Sequence, residues 1–200
     1  PQGYHRKSQL NSRYIFENFI EGKSNQFAKA AATSVAETPG QTPYNPLLIY
    51  SSPGLGKTHL LQAIGNKIIK QNRNMRVVYL TSEKFMLDFI SSIQKNRSTE
   101  FTSNYRNVDM LLLDDAQFFQ SKEQTQEQFF HLFNDLFQKG KQIVLTTDRH
   151  PGELKRLKDR LVSRFQSGLI VDIQPPDLET RIAILMKKAE DDRLEIPYDV

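Results

Sequence analysis

The residues with the clearest chemistry are Ser51-Ser52-Pro53-Gly54-Leu55-Gly56-Lys57-Thr58, set between the apolar run Leu47–Tyr50 and an amphipathic run opening at Leu60. Strand, small-residue loop and helix in that order are the setting of a phosphate-binding loop. Glycines let backbone N–H groups turn inward around phosphate oxygens, and the helix N-terminus adds partial positive charge. Lys57 can reach outer phosphates and the Thr58 hydroxyl can ligate magnesium. Ser51 stands where a first glycine is usual, and Pro53 has no N–H, so the cradle is built from Gly54 onward. A second cluster follows the apolar run Met110–Leu113: Asp114 and Asp115. Two carboxylates ending a buried strand are costly without a cation beside them. With a phosphate loop upstream, Asp114 is assigned to a metal and Asp115 to an attacking water; a loop or helix-capping pair is the bland alternative. Asp148 ends the next apolar run and is either a turn residue or a sensor of the terminal phosphate, through water or Lys57. Arg160 and Arg164 stand at i and i+4, on one helical face. Such a pair suits a phosphate or carboxylate, and equally a solvated basic surface.

Elements must place these groups. Apolar runs at Leu47–Tyr50, Arg76–Thr81, Val108–Leu113, Gln142–Thr146 and Gly168–Ile173 read as strands. Helical periodicity falls between them. One helix, capped by Ser24, carries Phe27, Ala28, Ala31 and Val35 and stops at Pro39-Gly40. Another, capped by Ser82, has Phe85, Met86, Phe89, Ile90 and Ile93 on its apolar side. A shorter one runs through Phe101 and Tyr105, a long one over Lys122–Lys139, and short pieces follow Pro151. A last helix starts at Asp177 with Ile182, Ile184, Leu185 and Met186. The alternation predicts a five-stranded parallel sheet flanked by helices, an α/β fold. Ligands of such sheets sit at the carboxyl ends of the strands, where the candidate residues fall.

Bulk composition narrows the rest. The chain of 200 residues has net charge +4, which permits an anionic partner without requiring one. With no cysteine, disulfides and thiolate metal sites are excluded. The four histidines, His5, His59, His131 and His150, make no ligand spacing. No apolar run approaches the ~20 residues of a membrane helix, and the first residues lack the charged-then-apolar pattern of a secretory signal. Residues 1–12 are polar and aperiodic, as in a linker or free arm.

The chain resembles the ATPase domain of the DnaA family of bacterial replication initiators, which are AAA+ proteins. The resemblance is carried by Phe16–Asn25 and the Ala-rich helix after it, Tyr44–Leu60, Ser82-Glu83-Lys84-Phe85, Tyr105–Phe119, Gln126–Phe133, Asp159–Phe165 and Gly168–Lys188. The segments Asp-Arg-Leu-x-Ser-Arg-Phe and Pro-Pro-Asp-Leu-Glu-Thr-Arg separate this family from other phosphate-loop proteins. The resemblance implies a nucleotide-binding core over residues 13–176, with residues 177–200 forming its last helix and the start of a helical lid. The sequence stops before the rest of that lid, with its second sensor arginine, and before a duplex-binding domain, so the chain is expected to be a fragment. Cofactors are ATP or ADP with Mg2+. Arg13, Tyr14, Phe19 and Asn25 would border the adenine; Gly54, Gly56, Lys57 and Thr58 match the phosphate loop, with Leu55 and His59 also binding the nucleotide. Asp114 and Asp115 match the metal and catalytic pair, Asp148 the first sensor. Arg164 matches an arginine finger acting on a neighbouring subunit, with Arg160 its companion. Ile90, Lys122 and Thr125 match positions that touch single-stranded origin DNA, and Gln124 replaces a basic residue often found there. Implied partners are origin DNA, further copies of the chain in a helical filament, a replicative helicase and regulators, in the cytoplasm at the nucleoid. An AAA+ helicase loader or adaptor shares most of these features. A small-molecule kinase would need an acceptor pocket and base that only the acidic pair could supply.

Overall fold

A computed structural model describes residues 10–194. The elements, in chain order, are α1 (Gln26–Glu37), β1 (Leu47–Tyr50), α2 (Lys57–Gln71), β2 (Val77–Thr81), α3 (Ser82–Gln94), α4 (Ser98–Arg106), β3 (Met110–Asp114), α5 (Glu123–Gln138), β4 (Gln142–Thr147), α6 (Asp159–Phe165), β5 (Leu169–Asp172) and α7 (Leu178–Asp192). The strands form one five-stranded sheet in the order β2-β3-β4-β1-β5, and every neighbouring pair is parallel. From β1 the chain crosses to the far edge and steps back through β3 and β4. It then passes over β1 to β5. Register brings Tyr50 beside Thr147 and Asp172, and Thr81 beside Asp114, so the carboxyl ends of the strands lie level.

Central strands buried on both faces must be apolar throughout. Leu47, Leu48, Ile49, Leu111, Leu112, Leu113, Val144 and Leu145 are fully buried. One face is covered by α1 and α2, which contribute Ala28, Ala32, Val35, Leu60, Leu61 and Ile64. The other is covered by α3 to α6 around Phe85, Phe119, Phe129, Phe133 and Phe165. Full burial of each such side chain contributes about 1.5–3 kcal/mol. Gly65 lets α2 lie close on the sheet: a Cβ there would stand 2.7 Å from Leu112 Cδ1.

The two expected caps each lie one residue off. Asn25, not Ser24, precedes α1, and Thr81, not Ser82, caps α3 by accepting from Lys84 N. Phe27 is 70% exposed, because the first turn of α1 turns it outward. Ile90 and Ile93 are exposed as well, and so is a stripe on α7 made of Leu178, Ile182, Leu185 and Met186. The free arm expected over 1–12 is docked from residue 10 on: Leu10 packs against the α2 face, and Asn11 N donates to Gln62 Oε1 at 2.7 Å. Residues 1–9 and 195–200, including His5 and the end of the expected lid, lie outside the described residues. Among the described residues no helix is long and apolar enough to cross a membrane.

Candidate nucleotide site

The loop after β1 turns through Gly54 (φ +83) and Gly56 (φ +95), both left-handed. Gly56 precedes α2 and packs under Phe19, whose ring would lie 3.0 Å from an added Cβ. Lys57 opens α2 and is buried. Its ammonium donates to Ser51 O at 2.8 Å, Ser52 O at 3.2 Å and Ser51 Oγ at 3.3 Å. Burial draws the Lys57 pKa below its usual value, while Asp115, Asp114 and Asp148 pull it back up. A cation held this way suits an incoming polyanion.

Thr58 Oγ1 donates to Asp114 Oδ2 at 2.7 Å, joining the β1 loop to the tip of β3. Thr146 on β4 donates to Asp114 Oδ1 at 2.5 Å, and Tyr79 OH on β2 donates to Oδ2 at 3.2 Å. Burial pushes the Asp114 carboxyl above the usual range. The hydroxyl donors oppose that shift, and Asp115 adds to it. Thr58 and Asp114 offer hard oxygens, a fit for magnesium that keeps its waters and substrate phosphates as other ligands. Among the described residues no group of three or more acidic or His side chains could hold a metal unaided.

Asp115 is left-handed (φ 58), an uncommon state for a residue with a Cβ. Its N–H donates to Thr146 Oγ1 at 2.9 Å and its carbonyl accepts from Ser82 Oγ at 2.5 Å. Its Oδ1 accepts from Gln117 Nε2 at 2.9 Å. The Asp148 N–H reaches Gln117 Oε1 at 3.2 Å, and the Asp148 carboxylate is clasped by Arg149 at 3.0 and 2.8 Å.

The opposite wall is a strap formed by residues 10–19. On α2, His59, Gln62 and Asn66 share one face and bind the strap's backbone. His59 Nε2–H donates to Ile15 O at 2.8 Å, and Asn66 Nδ2 donates to Asn11 O and Tyr14 O, each at 2.8 Å. Tyr14 stacks on His59 at 4.9 Å and Phe19 meets its edge at 5.4 Å. Burial lowers the His59 pKa, so the ring is neutral. Asn25 shapes the same wall, its side chain accepting from Gly22 N and donating to Ile20 O, each at 3.0 Å. Strap, loop, Asp115, Gln117, Asp148 and the inner side of α7 (Ile184, Lys187, Asp191) enclose a cleft of about 740 Å³, the size of a small-molecule site.

This geometry has known counterparts. A family model described as the bacterial DnaA ATPase domain matches residues 10–172. The chain belongs to that family. The chromosomal replication initiator protein DnaA of Lacticaseibacillus casei is 58% identical over 193 residues, which cover 96% of this chain and 43% of that one. The chain thus spans less than half the length of that relative. Domain III of the Thermotoga maritima replication initiation protein DnaA superposes with a TM-score of 0.94 at 48% identity, over 96% of this chain and 80% of that one. A replication initiator DnaA solved bound to AMPPCP and single-stranded DNA gives a TM-score of 0.88 at 43% identity, over 96% of this chain and 59% of that one.

Within this DnaA-type fold, the residues predicted to surround a nucleotide do come together: Arg13, Tyr14, Phe19, Asn25, Gly54 to His59, Asp115 and Asp148 all line the cleft, and Asp114 lies directly beneath it. Arg160 and Arg164 do not line it. They sit on α6 over the Phe130 ring, 4.6 and 6.0 Å from its centre, with Arg160 also paired to Glu127. Ile90 is 43% exposed and Lys122 is exposed, as a DNA contact requires. Thr125 is not: at 5% exposure it faces inward from the first turn of α5, which corrects the expectation that it touches DNA. Four contributors were missed in the sequence: Tyr79, Gln117, Thr146 and the buried Gln126. The last ties the turn before α5 to residues 156–158 through Phe119 O, Arg156 O and Lys158 N. Thr146 carried a signal, since it lies near the end of β4, two residues before Asp148. The others carried none.

Proposed function

We propose that this chain is the ATP-dependent switch of a DnaA-type replication initiator, favoured over a helicase loader by the family match. It binds ATP with Mg2+, stacks head to tail with further copies and helps to open origin DNA. The supporting observation is the 2.7 Å bond from Thr58 to Asp114, a hydroxyl and a carboxylate that would hold one cation between them. Bound Mg-ATP supplies the electrophilic phosphorus and the cation. Lys57 exchanges the Ser51 and Ser52 carbonyls for outer phosphate oxygens, while Gly54 to Gly56 present backbone N–H groups. Asp115 orients the attacking water and takes its proton. Asp148 monitors the terminal phosphate, and hydrolysis is slow because it serves to reset a switch. Arg164 reaches the nucleotide of an adjacent copy, with Arg160 beside it. Ile90 and Lys122 take the single strand; duplex DNA, helicase and regulators belong to the longer protein, at the nucleoid. Residues 13–176 form the working core and 177–200 lead toward a lid.

Sedimentation of Arg164→Ala with ATP, ADP or neither tests the central element. The expected outcome is monomer ATP affinity within about twofold of wild type and ATP-dependent assembly lost, because a trans arginine contributes only across the subunit contact. Undiminished assembly of the variant would reject the trans role.

A further inference from the structure

The mechanism above assigns nothing to Gln117, yet its side chain bonds the Asp115 carboxylate and the Asp148 backbone at once. It stands in the turn between β3 and α5, half-buried at the edge of the cleft. Nε2 donates to Asp115 Oδ1 at 2.9 Å, and Oε1 accepts the Asp148 N–H at 3.2 Å. The amide therefore spans the tips of β3 and β4. Asp115 is held at its other polar points too: N–H by Thr146 and carbonyl by Ser82. With the backbone fixed on both sides, the carboxylate keeps one freedom, rotation about its own side-chain bonds. The Gln117 donor limits that freedom by anchoring Oδ1 of a residue that lines the cleft.

We infer that Gln117 is a positioning residue: it aims the Asp115 carboxylate at the attacking water and locks Asp148 to the same frame. The inference rests on the proposed role of Asp115. An amide is the side chain suited to this place, because it alone among uncharged groups of that length offers a donor to a carboxylate and an acceptor to a backbone N–H. Glutamate keeps the acceptor and loses the donor, so the two ends can be tested apart.

The experiment compares wild type with Gln117→Glu and Gln117→Leu in four measurements: affinity for a fluorescent ATP analogue, single-turnover hydrolysis of Mg-ATP, thermal midpoint, and hydrogen exchange at the Asp148 amide. Both variants should hydrolyse at least roughly tenfold more slowly, the scale of loss from a misplaced general base, with analogue affinity within about threefold, since the amide acts on the transition state rather than on binding. The Asp148 amide should exchange faster in Gln117→Leu and at the wild-type rate in Gln117→Glu. A purely structural glutamine would instead lower the thermal midpoint and affinity together. That pattern overturns the inference, as does Gln117→Glu hydrolysing at or above the wild-type rate. Wild-type protein that binds the analogue but fails to hydrolyse Mg-ATP removes the role of Asp115, and the inference falls with it. Wild-type hydrolysis matched by Gln117→Glu removes the inference alone.

Discussion

At the scale of single residues, the site is a set of buried charges held by hydroxyls and backbone carbonyls. Asp114 is the clearest case. It is 2% exposed, and burial raises its carboxyl pKa above the usual carboxylate value. A carboxyl raised in the folded state is stabilised in its protonated form. Its ionised form therefore weakens the fold at neutral pH, and the penalty is relieved as pH falls through the folded value. Asp114→Asn keeps the shape, and its amide can still meet Thr146, Thr58 and Tyr79. The expected result is a gain on the order of 1 kcal/mol in nucleotide-free stability by urea titration, with magnesium-dependent nucleotide affinity lost. A site group that costs stability is the usual mark of function placed above folding. Lys57 shows the complementary arrangement: a buried ammonium resting on two carbonyls that phosphate oxygens would displace.

At the scale of elements, α2 does two tasks along one face. Its N-terminus carries Lys57 and Thr58, and His59, Gln62 and Asn66 bind the strap. The His59 pKa lies below its unperturbed 6.5. Between the two values the unfolded chain binds a proton that the folded one refuses, so stability falls as pH drops below 6.5. Denaturation at about pH 7.5 and about pH 5.5 should show a smaller acid loss in His59→Gln than in wild type. Much of this level could be read from the sequence, because loop and acidic pair are contiguous and their residue types are specific. What stayed hidden acts across the sheet. Thr146 meets Asp114 only because β4 lies beside β3, and Tyr79 meets it only through the pairing of β2 with β3. No spacing in the chain encodes those pairings. Thr125 was expected at the surface from the resemblance alone, but α5 begins at Glu123 and turns 125 inward. The apolar residues read on α7 do not share one face: Ile184 lines the cleft, whereas Ile182, Leu185 and Met186, with Leu178, stand exposed.

At the scale of the whole molecule, the sheet order sets the division of labour. With β4 between β1 and β3, the loops carrying Lys57, Asp115 and Asp148 converge on one edge. The arginines of α6 face elsewhere, over the Phe130 ring. The wall that completes the cleft comes from upstream of the sheet, in the strap that begins at Leu10. Deleting residues 1–12 removes Leu10 and the Asn11 contacts to Gln62 and Asn66 but little of either core cluster. Such a deletion should weaken nucleotide affinity by roughly tenfold while shifting the thermal midpoint by only a few degrees, on the order of 1 kcal/mol of folding free energy. Calorimetry and analogue titration on the same sample would separate the two effects. The practical corollary concerns protein engineering: a fusion joint, affinity tag or protease scar placed near Asn11 would leave a well-folded sample that reports a false nucleotide-binding defect.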